Sequence, residues 1–523
     1  MEMPTSGAPA FTRLPAELLI SILEQRYPEV DNSKTELSDS ETEDSGTERP
    51  WGDIVDFDTL KSLRLACRQY AYLPYLLEKT FQWIRIEASP DQVEVAESVD
   101  LSCIRPYVKA VVFVPSKYSW AMTEQKFWDI IWAPRVEEIY NALREKERQI
   151  WDAWGRDFSA AAELKKDFEE LGLMGLIEKH ANGPIQFTKD EVAKGYERYM
   201  YLAQRTRELF ESKRVERAWV RVLTQLPDVQ FFNIGIWEFN CGHMEQDWKK
   251  AGCEIEIHPH GQDRLGHSHA VCRRLHASVG EALFRAAVAS LIAAQSTVSW
   301  LEVECILDDE FIWAHDGTLD NWDLSQLQSL VFNPVGAARQ EIEQWSDEHK
   351  DAASARCGHA LVTLLRKCSS GLTELKFFPD GQYGDNYLVW PPAAPNKPPK
   401  LPVLEELTTG TNLHLRTLSR YLLQCPSLDY LRLEGCKGVE GLWPELWDAI
   451  RDHPNRMLIE FDDLPCNMET FETCSMRYDP KGASSAEDED DEAADAIEYS
   501  LRNYFSGKGH WDHTLSMWFG DWD

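Results

Sequence analysis

The sequence predicts an α/β protein with a helical N-terminal segment, a charged helical insertion, and a long region in which helices alternate with short strands. Three observations carry this reading. Leucine-rich runs of helical spacing occupy residues 14–23 and 60–73. Residues 120–221 hold long charged stretches of the same period. From Val229 onward an apolar-x-x-apolar-x-apolar unit recurs behind helical segments.

Composition sets the bounds on function. A chain of 523 residues with 43% apolar and 11% aromatic side chains sustains a packed core, so global disorder is excluded. The length suits about two to four domains. No apolar run reaches the roughly 20 residues that span a bilayer, and the first ten residues lack a basic start and an apolar signal core. A cytoplasmic or nuclear location is expected. The 12 cysteines include no CxxC pair and read as reduced thiols, many of them filling the core.

The charge balance is 88 acidic against 54 basic residues, net −34. Phosphates must be met by lysine and arginine, so neither nucleic acid nor an anionic membrane is expected as the main partner. A basic partner protein suits this chain better. Two runs concentrate the charge: eight acids and one lysine from Glu29 to Glu48, and eight acids with no base from Glu487 to Glu498. Both are expected to be solvated segments. Ser38, Ser40, Thr42 and Ser45 stand among the acids of the first, where an acidophilic kinase would add about −1.5 to −2 charges per phosphate.

The N-terminal stretch "FTRLPAELLISILEQRYP" is a short amphipathic helix introduced by Pro15 at its first turn, with Leu18, Leu19, Ile22 and Leu23 on one side. A helix of this length does not hold itself together in water, so its apolar face needs a partner. After the first acidic run, "LKSLRLACRQYAYL" resumes the pattern. Together the two segments resemble the two halves of an F-box, with Leu14, Pro15, Leu18, Leu19, Ile22 and Leu23 matching the first half. Leu60, Leu63, Cys67, Arg68 and Tyr70 match the second.

The resemblance implies a helical module that completes itself against a Skp-family adaptor, and through it a cullin-RING (SCF-type) ubiquitin ligase. Those eleven residues would then form the adaptor-binding surface, read as i, i+3, i+4 anchors. The connection between the halves is about twenty residues longer than the family's, yet each doubling of a flexible loop costs only about 0.6 kcal/mol. The alternative is that the same residues pack onto the rest of this chain.

Next come strand-like runs, "FQWIRIEA" and "VKAVVFVP", and then the charged helices of residues 120–221, joined through "HANGPIQF" into a helical hairpin. Thr188 and Glu191 supply a capping box for the second helix. Trp128, Trp132, Trp151 and Trp154 are read as helix-packing core.

The recurring units are Val229/Phe232/Ile234, Val298/Leu301/Val303, Leu327/Leu330/Phe332, Leu372/Leu375/Phe377, Leu404/Leu407 and Leu428/Leu431/Leu433. Their starts are 69, 29, 45, 32 and 24 residues apart, and Thr409 stands where the fifth unit wants an apolar residue. A helix, a turn and a short strand at such periods resemble an irregular leucine-rich-repeat solenoid. The alternative is an ordinary α/β domain with a parallel sheet. In F-box proteins such a solenoid implies a substrate receptor. Trp313, Trp322, Tyr383, Tyr387 and Trp390, set among carboxylates in the insertions between units, are the candidate target anchors.

The expected organisation is therefore a disordered N-terminus over 1–10 and an F-box over 11–82 with an acidic insertion at 28–52. A strand-containing connector covers 83–119, a helical insertion 120–221, the solenoid 222–465, and an acidic, partly disordered tail 466–523.

Catalysis is the rival. Cys241, Cys253, Cys272, His243, His258, His260, His267, His269 and His276 crowd one window, and such residues ligate zinc. Their spacing matches no zinc-finger or HExxH pattern, and the chain holds no Walker A loop, GxSxG elbow or GxGxxG fingerprint. A non-enzyme without metal or cofactor is expected. An interaction scaffold acting without a ligase remains the second reading, and a zinc-dependent enzyme the third.

Overall fold

The structure is a computed structural model that describes residues 74–116, 189–235, 267–304, 311–334, 346–377, 397–467, 472–478, 499–501 and 503–510, with a few isolated positions besides. Chain order begins with α1 (Pro74–Phe81), β1 (Trp83–Glu87), α2 (Pro90–Ser98) and β2 (Ala110–Val114). It continues through α3 (Lys189–Glu211), α4 (Arg214–Thr224), β3 (Phe231–Gly235), α5 (His267–Ala293), β4 (Trp300–Glu304) and β5 (Ser329–Phe332). Then follow α6 (Asp347–Cys368), β6 (Glu374–Phe377), β7 (Val389–Trp390), β8 (Glu406–Thr409), β9 (Asn412–His414), α7 (Leu415–Leu422) and β10 (Tyr430–Glu434). The last elements are β11 (Gly438–Glu440), α8 (Trp443–Arg451), β12 (Leu458–Asn467) and β13 (Glu472–Tyr478).

Among the described residues the main sheet runs β1-β2-β3-β4-β5-β6-β8-β10-β12-β13. Every pair in it is parallel except the last, β12 with β13. The described strands are added strictly in chain order, so among them the order has no reversal of the kind that opens a ligand crevice in doubly wound folds. A second, short parallel sheet, β11-β9-β7, is built from the segments that follow β10, β8 and β6.

The period of two along each strand divides the sheet into two chemical faces. One row of cross-strand neighbours is Ile84, Val111, Phe232, Leu301, Leu330, Leu375, Leu407, Leu431 and Ile459. Two residues further along, the row is Ile86, Phe113, Ile234, Val303, Phe332, Phe377, Thr409, Leu433 and Phe461. Nearly all of these side chains are buried in one continuous core with Val93, Trp219, Phe284, Leu361, Leu418 and Trp447 from the helices. The recurring apolar units of the sequence are the strands of this sheet and the turns that lead into them.

Those turns repeat as well. Val229, Leu327, Leu404 and Leu428 each donate their backbone N–H to the carbonyl three residues back, at Leu226, Leu324, Leu401 and Cys425. The residue just before each strand hands its carbonyl to the next strand: Gln230 accepts from Ser299 and Trp300, Gln328 from Thr373 and Glu374, Thr373 from Glu405 and Glu406, and Glu405 from Asp429 and Tyr430. Thr409, the polar exception, is fully buried and pairs its hydroxyl with Thr411 at 3.2 Å, while its carbonyl accepts from the Cys436 thiol. A hydroxyl with a partner costs little where an orphaned one would cost about 1–3 kcal/mol.

The helices begin where the sequence supplies start signals. Pro90 and Pro444 occupy first turns, the Ser346 hydroxyl accepts from the His349 N–H to cap α6, and the His414 ring caps α7 through Thr417. Gly441, at φ 98, turns the chain between β11 and α8, and a Cβ there would meet the Arg416 backbone nitrogen at 2.6 Å.

Several expectations change. β1 and β2 are the first two strands of the same sheet, not a connector leading to it. The second charged helical stretch divides at Lys213, whose backbone is left-handed at φ 56, and α4 then buries Trp219. The terminal region read as a partly disordered acidic tail contributes β13 to the sheet, and it buries Leu501, Tyr504 and Leu515 in the core. The physical reason is local: the acids cluster at 487–498, whereas the residues on either side carry aromatic anchors. Capping boxes and tryptophans at Thr188, Trp128, Trp132, Trp151 and Trp154 lie outside the described residues. No helix among the described residues is long and apolar enough to cross a membrane.

Candidate functional site

The face of the main sheet turned away from the helix core changes chemistry along its length. Trp83, Ala110, Phe231, Trp300, Ser329, Glu374, Glu406, Tyr430 and Leu458 form one row of in-register neighbours. The next is Arg85, Val112, Asn233, Glu302, Val331, Lys376, Thr408, Arg432 and Glu460. Apart from the Arg85–Glu87 pair on β1, the end nearer β1 is aromatic and aliphatic, and the end nearer β12 is charged.

In the middle, Asn233 and Glu302 are each 2% exposed and stand side by side, with the Asn233 amide donating to the Glu302 carboxylate at 2.7 Å. Phe231 and Trp300 hold their rings 6.4 Å apart beside them. Toward β12 the side chains become half-buried and form a charged lattice. The Lys376 ammonium lies 2.6 Å from Glu374 and 3.4 Å from Glu406. Ser329 donates to the other oxygen of Glu374. Tyr430 donates its hydroxyl to Glu460 at 2.6 Å, and Arg432 sits 3.8 Å from Glu434.

Electrostatics follow from this layout. Burial raises the proton affinity of Glu406, Lys376 opposes that shift, and the charges of Glu374 and Asp429 add to it. The Tyr430 phenol is pushed up by burial and by the Glu460 carboxylate, so it stays protonated and donating at any physiological pH. The lattice holds its shape through charge-assisted bonds but keeps a surplus of carboxylates.

Of the anchors proposed from sequence, Trp313, Trp322 and Trp390 are corrected. All three are buried, at 0%, 4% and 0% exposure. Trp313 packs against Phe284 at 4.5 Å and Trp390 against Phe377 at 5.8 Å. Their neighbouring acids suggested exposed insertions, but each ring is large enough to fill the space beside the strands, and interior burial wins. Tyr383 and Tyr387 lie outside the described residues, as do the eleven F-box-like positions Leu14, Pro15, Leu18, Leu19, Ile22, Leu23, Leu60, Leu63, Cys67, Arg68 and Tyr70.

Cys241, Cys253, His243, His258 and His260 are likewise outside them, and His267, His269, Cys272 and His276 fall within α5. Among the described residues no group of three or more histidine, cysteine, aspartate or glutamate side chains is placed to hold a metal ion. Burial pushes the thiols of Cys368, Cys425 and Cys436 up to about 12, which keeps them protonated and unreactive as nucleophiles.

The charged row was missed by sequence reasoning, although its signal is present. Within each apolar-x-x-apolar-x-apolar unit, the residue between the last two apolar positions must point to the opposite face. Glu302, Lys376, Thr408 and Arg432 occupy those positions.

No family model, no curated protein and no solved structure matches this chain.

Proposed function

We propose that this protein is an F-box-type substrate receptor, which docks a Skp-family adaptor through its N-terminal leucine-rich segments and holds a target protein on the outer face of its parallel sheet. The observation that carries the reading is the ordered pair of N-terminal motifs, "LPAELLISIL" and "LKSLRLACRQYAYL". Support for the receptor half comes from the strand order. A sheet that grows one parallel strand at a time in chain order, with its helices contributing to the core on one face, is the arrangement of an α/β solenoid, and such sheets offer an extended binding face. The half-buried polar lattice of Glu374, Lys376, Glu406, Tyr430 and Glu460 gives that face groups to bind with. In this reading the protein performs no chemistry of its own and acts in the cytoplasm or nucleus, where ubiquitin ligases of this type work.

Affinity capture from cells with the intact chain and with residues 1–82 deleted tests the reading. The intact chain retains the adaptor, the cullin and target proteins, and the deleted chain retains targets but loses the ligase components. Capture of targets with no adaptor by the intact chain overturns the ligase role and leaves an interaction scaffold.

A further inference from the structure

We infer that the face formed by β6, β8, β10 and β12 takes an extended segment of its partner that carries lysine or arginine at alternate positions, next to an apolar residue. This rests on the receptor reading for the identity of the partner as a protein target, and it adds the chemistry by which that target is recognised.

Charge complementarity comes first. Glu374 and Glu406 are direct neighbours across parallel strands, an arrangement that is unfavourable for like charges, and they share the single ammonium of Lys376. Glu460 stands in register with Arg432, and Glu434 lies beside that same arginine. Glu405 and Asp429 are exposed at the leading ends of β8 and β10. Four half-buried carboxylates, Glu374, Glu406, Glu434 and Glu460, therefore face two cations, Lys376 and Arg432, with the exposed Glu405 and Asp429 at the rim. Burial is the main cause of the raised proton affinity of Glu406, and the charges of Glu374 and Asp429 add to it. A cation arriving from outside gains these carboxylates, and each of them has further acceptor positions to offer.

Geometry selects the kind of cation. The carboxylates sit on separate strands, which lie about 4.8 Å apart, and Lys376 stands between two of them, so they do not converge on a single ion. An extended chain crossing the strands presents every second side chain to the sheet, about 6.6 Å apart. Basic residues at i and i+2 reach the neighbouring Glu374 and Glu406 carboxylates through their flexible stems, which take up the difference between the two spacings. Trp300 lies two strands from Glu374 in the same row, about 10 Å away, which about three extended residues would span. Its half-buried ring packs on Phe231. An apolar side chain of the partner would pack on the part of the ring left open.

The test uses the full-length chain and a fluorescein-labelled synthetic peptide in which arginine alternates with alanine and a leucine lies three residues from the last arginine. Copies with every arginine replaced by glutamine, or by glutamate, are run beside it. Anisotropy titrations are expected to show binding of the arginine peptide and at least tenfold weaker binding of the other two. The double variant Glu406→Gln with Glu460→Gln is expected to weaken the arginine peptide about tenfold. The control Glu208→Gln with Glu211→Gln changes the net charge equally on exposed α3 and is expected to shift it less than twofold. Lys376→Gln removes the competing cation and is expected to tighten binding several-fold, which gives an independent reading should the double variant fold poorly.

Equal weakening by the face variant and the α3 control, or equal binding of the arginine and glutamine peptides, overturns the inference. Adaptor binding is measured on the same samples. Loss of peptide binding with adaptor binding intact condemns this inference alone, while the converse condemns only the ligase reading.

Discussion

Glu374 and Glu406 stand directly opposite one another on neighbouring parallel strands, with the ammonium of Lys376 2.6 Å from the first and 3.4 Å from the second. Because burial raises the proton affinity of Glu406 above that of the unfolded chain, the folded state holds its proton more tightly. Its favourable contribution is complete below the usual carboxylate range and is lost as pH rises through the raised value. Glu406→Gln removes a charge that is disfavoured at neutral pH. The variant is expected to melt slightly higher than wild type at pH 7, with the difference shrinking as pH falls into the usual carboxylate range. Calorimetric scans at pH 7 and within that range decide it, and a lower melting point at pH 7 would mean that attraction to Lys376 outweighs burial.

The interior position of Trp313 makes it a stability residue. Its ring touches Phe284, Phe311 and Phe332, with centroids 4.5, 6.3 and 6.4 Å away. Trp313→Ala is expected to destabilise the fold by about 3–5 kcal/mol, measured by urea denaturation. A loss below about 1 kcal/mol would place the ring in a far looser environment than this one.

Arg214 ties the start of α4 to α2, donating to both oxygens of Glu97 at 2.6 Å. That bond holds the Glu97 carboxyl below its ordinary range, so its contribution is present above the unfolded value and fades as pH falls through the folded one. The pair is about a third exposed, which keeps the effect small. Arg214→Met should lower the melting temperature slightly at pH 7, by an amount that shrinks as pH falls below the ordinary carboxylate range. A difference that does not shrink on acidification would assign the loss to packing of the arginine stem instead.

The last strands are closed by the C-terminal residues. Phe505 packs on Trp447 at 5.8 Å and on Tyr478 at 5.2 Å, and Tyr504 hydrogen-bonds Asp448 with Arg451 lying over its ring at 4.9 Å. These contacts cover apolar side chains of the last strands and α8 that would otherwise face water. Truncation after residue 498 is expected to expose Trp447, lower the melting temperature and promote aggregation, read by light scattering. A truncated chain that stays monomeric and melts like wild type would show that the cover is dispensable.

How far the sequence carried the fold depended on which residues made each strand. β3 to β6, β8 and β10 were legible because leucine, phenylalanine and valine recur at fixed offsets within each unit. β1 and β2 fell outside that count because two helices, α3 and α4, separate β2 from β3 and break the period. β12 escaped because its turn, "HPNRM", has no leucine three residues ahead of the strand's apolar pair. Tryptophans near acids looked like exposed anchors, yet Trp313 and Trp390 fill space beside the strands, a tertiary outcome that local composition does not reveal. The charged row was written in the alternate positions of each unit and needed the strand register to bring Glu374, Glu406 and Tyr430 side by side.

The most direct test of the account is calorimetric titration of a purified Skp-family adaptor into the full-length chain and into the variant Leu18→Asp, Ile22→Asp, Leu63→Asp. The account predicts a one-to-one complex with the wild-type chain and none with the variant, whose melting temperature stays unchanged. An intact chain that ignores the adaptor, or a variant that binds it equally well, would contradict the receptor assignment.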